Sequence, residues 1–132
     1  MADRHSLRTN PVHLGLDARA ISQPEFTGLE WYAAYAERSA DDGREGRLVA
    51  LHDFSESWTS WEMHPHGDEV VVCLSGAITL VQEMADGSHT QTPLCAGDYA
   101  INPAGVWHTT DADGPASVLF ITAGMGTQHR ER

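Results

Sequence analysis

From about residue 47 onward, short runs of β-branched and apolar residues alternate with Gly, Pro, Asp and Ser at intervals of about 8 to 12 residues, the spacing of a sandwich or barrel. Seven runs read as strands: RLVALHDF (47–54), WTSWEMHPH (58–66), DEVVVCLS (68–75), AITLVQEM (77–84), SHTQTPL (88–94), DYAINP (98–103) and ASVLFITAG (116–124). Asp86-Gly87 joins the fourth to the fifth as a tight turn, because Gly supplies the positive φ that a two-residue hairpin requires. The sheet is therefore expected to be largely antiparallel and the fold class all-β. The first 45 residues read differently: between Gly28 and Gly43, Leu29, Tyr32, Ala33 and Ala36 recur at helical spacing before an Asp and Gly stop. This predicts an N-terminal arm with one short helix, apolar enough to cover an open edge or mouth of the sheet or to reach a second subunit. The expected division is an arm over residues 1–45, a β-domain over 46–126 and a tail over 127–132.

Composition narrows the chemistry. With 132 residues, 41% hydrophobic and 20% charged, the chain has room for one domain and one core. Nineteen Asp and Glu stand against eight Arg and no Lys, for a net charge of −11. Such a surface repels phosphate backbones and anionic lipid, so neither a nucleic-acid nor a membrane partner is expected. The lack of lysine excludes Schiff-base and pyridoxal-phosphate chemistry, which need an amine. Cys73 and Cys95 both sit in apolar runs and read as free thiols of a reducing compartment. No stretch is apolar enough for a signal peptide or a bilayer span, and the expected location is cytoplasmic.

The segment His64-Pro65-His66-Gly67-Asp68-Glu69 lies where one expected strand ends and the next begins. On a strand, residues two apart share a face at about 6.6 Å, so His64 and His66 can aim at one point, and a turn at Gly67-Asp68 brings Glu69 back to it. Two imidazoles and a carboxylate suit a divalent first-row transition metal (Fe, Mn, Ni or Zn). His108, just past the turn Asn102-Pro103-Ala104-Gly105, is the candidate for a third imidazole.

These residues resemble the two motifs of the cupins. His64-x-His66-x-x-Glu69, followed by six residues and Gly76, looks like the first; Gly97, five residues and Pro103-x-Gly105-x-x-His108 look like the second. The resemblance covers about residues 47–124. It implies a jelly roll, or double-stranded β-helix, with one metal ion in its lumen on His64, His66, Glu69 and His108. Cupins of this kind are often homodimers, which implies the same here. The chain departs from the pattern at three points: Trp58 stands where a Gly is usual, two residues rather than three or four separate His66 from Glu69, and Ala112 replaces a frequent Asn.

The favoured function is a mononuclear metal-dependent enzyme of oxygenase, isomerase or lyase type acting on a small organic molecule; the alternative is a non-catalytic sensor or binding module. Glu62, in strand phase with His64, and Tyr99 are the candidate acid or base groups. Trp58, Trp61, Met63 and Trp107 read as core or pocket lining. His5, His13, His89 and His129 read as surface residues, and His52 has no clear place.

Overall fold

Eleven strands and one α-helix make up the computed structural model, which describes residues 2–132. In chain order they are β1 (Val12–Leu14), β2 (Ala20–Ser22), α1 (Leu29–Arg38), β3 (Arg47–Phe54), β4 (Ser60–Met63), β5 (Glu69–Ser75), β6 (Ala77–Glu83), β7 (His89–Cys95), β8 (Tyr99–Asn102), β9 (His108–Asp111), β10 (Ala116–Thr122) and β11 (Gln128–Glu131). Each of the seven expected strands is present. They form two antiparallel sheets, ordered β2-β1-β3-β10-β5-β8 and β11-β4-β9-β6-β7, the two layers of a jelly roll.

Alternation along each strand builds the core between the layers. Val71 and Cys73 of β5, Ala116, Val118 and Phe120 of β10, Ile78 of β6 and Leu94 of β7 point inward and form one buried cluster. Cys73 is buried there as a free thiol, and Cys95 is a free thiol on the surface. Gly76 turns β5 into β6 at φ +75°, and a Cβ there would lie 2.2 Å from the Pro115 carbonyl oxygen, so only glycine fits.

The segments outside the expected β-domain join it through backbone pairing. β1 pairs with β3 and covers that edge of the sheet. α1 follows, anchored by buried Trp31, whose indole N–H donates to the Pro24 carbonyl at 3.0 Å. His13, expected on the surface, is buried: its ring contacts the Asp42 carboxylate at 2.6 Å and the Tyr35 hydroxyl at 2.6 Å, and Arg19 donates to the other Asp42 oxygen. This polar knot ties β1, α1 and the turn after α1 together. At the other end, residues 127–132, expected as a tail, supply β11, which pairs with β4. Arg130 fixes it from outside, lying over the rings of Trp61 and Trp107 at 5.2 and 4.6 Å and donating to Glu83.

Candidate metal centre

Strand register brings two polar rows face to face at one end of the space between the sheets. In the first sheet Asn102, Glu69 and Thr122 lie side by side on β8, β5 and β10. In the second, His129, Glu62, His108 and Gln82 lie in line on β11, β4, β9 and β6. Glu69 shares its inward phase with Val71 and Cys73, so the alternation that builds the core also forces this carboxylate inside. His64 follows β4 in the same phase as Glu62.

One ligand atom from each of Glu62, His64, Glu69 and His108 lies within 4.8 Å of the others, and these four residues could hold a metal ion. His64 Nε2 is 3.2 Å from Glu69 Oε2 and 3.4 Å from Glu62 Oε1; His108 Nε2 is 3.3 Å from Glu69 Oε1 and 3.8 Å from Glu62 Oε1. His64, Glu69 and His108 are 4%, 2% and 1% exposed. Both Nε2 atoms are buried without a hydrogen-bond partner. A buried polar atom left so costs on the order of 1–3 kcal/mol, a cost that a cation bound between the four side chains would remove.

The surrounding hydrogen bonds orient the donors. Thr127 Oγ1 donates its hydrogen to the Gly124 carbonyl, so toward His64 it accepts, which keeps a proton on His64 Nδ1 (2.8 Å) and makes Nε2 the nitrogen for a ligand bond. His108 Nδ1 faces the Val106 carbonyl at 3.3 Å to the same effect. Glu69 accepts from Asn102 Nδ2 at 3.0 Å and from Thr122 Oγ1 at 2.6 Å, and Gln82 donates to Asn102 Oδ1 in turn. Replacing Thr127 by Val removes the acceptor behind His64 and should weaken metal binding about 10- to 100-fold, read by competition with a chromophoric chelator.

The charges sharpen the picture for the metal-free protein. Burial alone would lower His64 and His108, but the Glu62 and Glu69 carboxylates outweigh it and raise both to about 9. Burial would raise the two carboxyls, but the His108 and His64 imidazoles hold Glu62 down at about 2 and Glu69 far below the usual range.

Of the residues expected in the site, His64, Glu69 and His108 come together and His66 does not. His66 is exposed on the β4–β5 turn with its ring beside Gly126, because the chain has already begun to reverse at Pro65. Glu62, expected as an acid or base, lies within the same cluster. The signal for this was in the spacing: Glu62-x-His64 is followed by four residues before Glu69, which restores the separation that His66 breaks. Tyr99 is 66% exposed, because on β8 the inward phase belongs to Ala100 and Asn102. His129 is exposed, as expected, and β11 brings its Nε2 to 3.4 Å from Glu62 Oε2. No local sequence feature announces that contact.

A family model described as a cupin domain matches residues 55–122. Among solved structures, an oxalate oxidase in complex with the substrate analogue glycolate is 15% identical at a TM-score of 0.53, covering 62% of this chain and 45% of its own. A hydroquinone 1,2-dioxygenase in complex with Cd2+ and 4-hydroxybenzonitrile is 17% identical at a TM-score of 0.51, covering 58% of this chain and 56% of its own. A Bacillus halodurans protein is 24% identical at a TM-score of 0.50, covering 57% and 60%. The chain thus spans less than two thirds of each of these three. None of the curated proteins matches it. Among the described residues no helix is long and apolar enough to cross a membrane.

Proposed function

The chain belongs to the cupin-domain family, and from that premise we propose that it is a mononuclear metal-dependent enzyme acting on a small organic molecule, with Glu62, His64, Glu69 and His108 holding one divalent first-row metal ion. The observation that carries this reading is the pair of buried, partnerless Nε2 atoms of His64 and His108 aimed between two carboxylates. Their outer nitrogens already face acceptors, so each ring keeps its Nδ1 proton and Nε2 is the nitrogen that gives up its proton to a metal.

When bound, such an ion supplies Lewis-acid polarisation of a substrate oxygen and open positions for substrate or dioxygen, the chemistry of an oxygenase, isomerase or lyase. The protein's side chains divide the remaining work. Glu69 has both oxygens held by Asn102 and Thr122 and acts as a fixed anchor. Glu62 is 25% exposed and turns Oε2 toward His129. The aliphatic and aromatic layer beneath the donors, from Val71 to Phe120, closes the inner end of the site to water.

Metal analysis of full-length protein purified without chelator, combined with oxygen uptake over a panel of small acids, phenols and diketones, tests the proposal. Stoichiometric metal is expected, and its loss in both His64→Ala and His108→Ala. Unchanged metal content in both variants defeats the assignment. Tight ligand binding without turnover makes the protein a binding module instead.

A further inference from the structure

A divalent ion on two carboxylates and two neutral imidazoles carries no net charge, whereas the three-histidine set expected from the sequence would leave a charge of about +1 on the same ion. Among the described residues no arginine is in ion-pair range of Glu62 or Glu69. The ion pairs of the arginines lie elsewhere, Arg8 with Asp53, Arg19 with Asp42, Arg44 with Glu45, Arg130 with Glu83 and Arg132 with Asp111. Among the described residues the one further basic group in ion-pair range of the donor carboxylates is His129. The whole chain adds a background of −11. A dicarboxylate bound here would bring two negative charges to a partly buried ion already neutralised by two carboxylates, so its desolvation is poorly repaid.

The walls favour a different ligand. Phe120 lies two residues before Thr122 on β10, in the same inward phase, one layer beneath the donors. From it a line of rings leads outward to the arm: His52 at 5.9 Å from Phe120, Phe26 at 5.5 Å from His52, and Tyr32 at 5.4 Å from Phe26. The negative charges of Glu62 and Glu69 reach Tyr32, and that of Glu62 reaches His52. Burial, reinforced by those charges, pushes Tyr32 up to about 12, so its hydroxyl keeps its proton and remains a donor. The arm therefore does more than cap a sheet edge; it adds Phe26 and Tyr32 to the line of rings that ends at Phe120.

We propose that the ligand taken at this centre is an uncharged, flat ring compound bound against the Phe26, Tyr32, His52 and Phe120 wall, and not a carboxylate anion. The inference rests on the metal reading above. Full-length protein loaded with Co2+ tests it, with imidazole, phenylimidazole and oxalate as probes and the visible spectrum of the ion as the readout. Three results are expected. Phenylimidazole binds roughly tenfold or more tightly than imidazole, because its phenyl ring is buried on the wall. Phe26→Ala and Tyr32→Ala each reduce that advantage while leaving Co2+ binding and the affinity for imidazole in place. Glu62→His, which restores one positive charge, raises the ratio of oxalate to imidazole affinity by roughly tenfold or more. The ratio cancels the intrinsic preference of the ion for either ligand. If Co2+ binds but phenylimidazole gains nothing and the oxalate ratio is unchanged in Glu62→His, the ligand class is wrong and the metal centre stands. If Co2+ does not bind at all, the metal centre fails and the ligand class falls with it.

Discussion

Glu62→Ala should lower metal affinity by more than about 100-fold, while His66→Ala should leave it within about threefold of the parent. The scale follows from comparison with supporting residues: groups that only orient a ligand already contribute about 10- to 100-fold, so removal of a donor exceeds that. Glu62 Oε1 lies within 3.4 Å of His64 Nε2 inside the donor group, whereas the His66 ring is exposed outside it. Isothermal titration or chelator competition on both variants, with circular dichroism to confirm that each is folded, measures the contrast. The reverse result, metal lost in His66→Ala and kept in Glu62→Ala, would show that the chain binds metal on the set expected from the sequence and that β4 sits two residues out of place.

Metal affinity should climb steeply with pH up to about 9 and level off above it. A ligand imidazole must be unprotonated, and the ordinary midpoint for that is about 6.5. In the metal-free protein both His64 and His108 are raised to about 9 by the facing carboxylates. At pH 7 both rings therefore carry a proton that the metal must displace, and binding releases up to about two protons. The sign is fixed by that direction: below about 9 each unit of pH gained raises the affinity by up to about 100-fold, and above it the gain ceases. Calorimetry in buffers of different ionisation enthalpy counts the protons directly. Release of none at pH 7, with affinity already flat, would mean that the two rings are neutral in the free protein and that the carboxylates do not act on them.

The contrast between β9 and its neighbours shows what the linear sequence conceals. β3, β5, β6 and β10 announce themselves because their apolar runs are bounded by turn residues and their inward positions are mostly apolar. β9 is His-Thr-Thr-Asp, with no hydrophobic residue, and reads as loop; yet it is the middle strand of its sheet, and Thr109 and Thr110 are buried, Thr109 donating to the Ser60 carbonyl. β11 is likewise polar throughout and forms because β4 offers it an edge and the Trp61 and Trp107 rings hold Arg130. A strand recruited by a neighbour's hydrogen bonds leaves no periodic trace of its own.

By itself, the sequence determined the all-β class, seven of the strands, the helix in the arm and three of the four side chains that cluster between the sheets. Those properties depend on short-range order: alternation at period two, glycine at obligatory turns, and motif residues at set spacings. Only the tertiary structure decided that Glu62 stands where His66 was expected, that Tyr99 faces outward, and that Thr127, just before the last strand, and His129 within it reach the site. The reason is register: shifting a strand by one residue exchanges its faces, and shifting a motif by two keeps the face but changes which side chain reaches the centre. Register is set by pairing partners far away in the chain, β4 against β9 and β11, and so cannot be read from the residues of β4 alone.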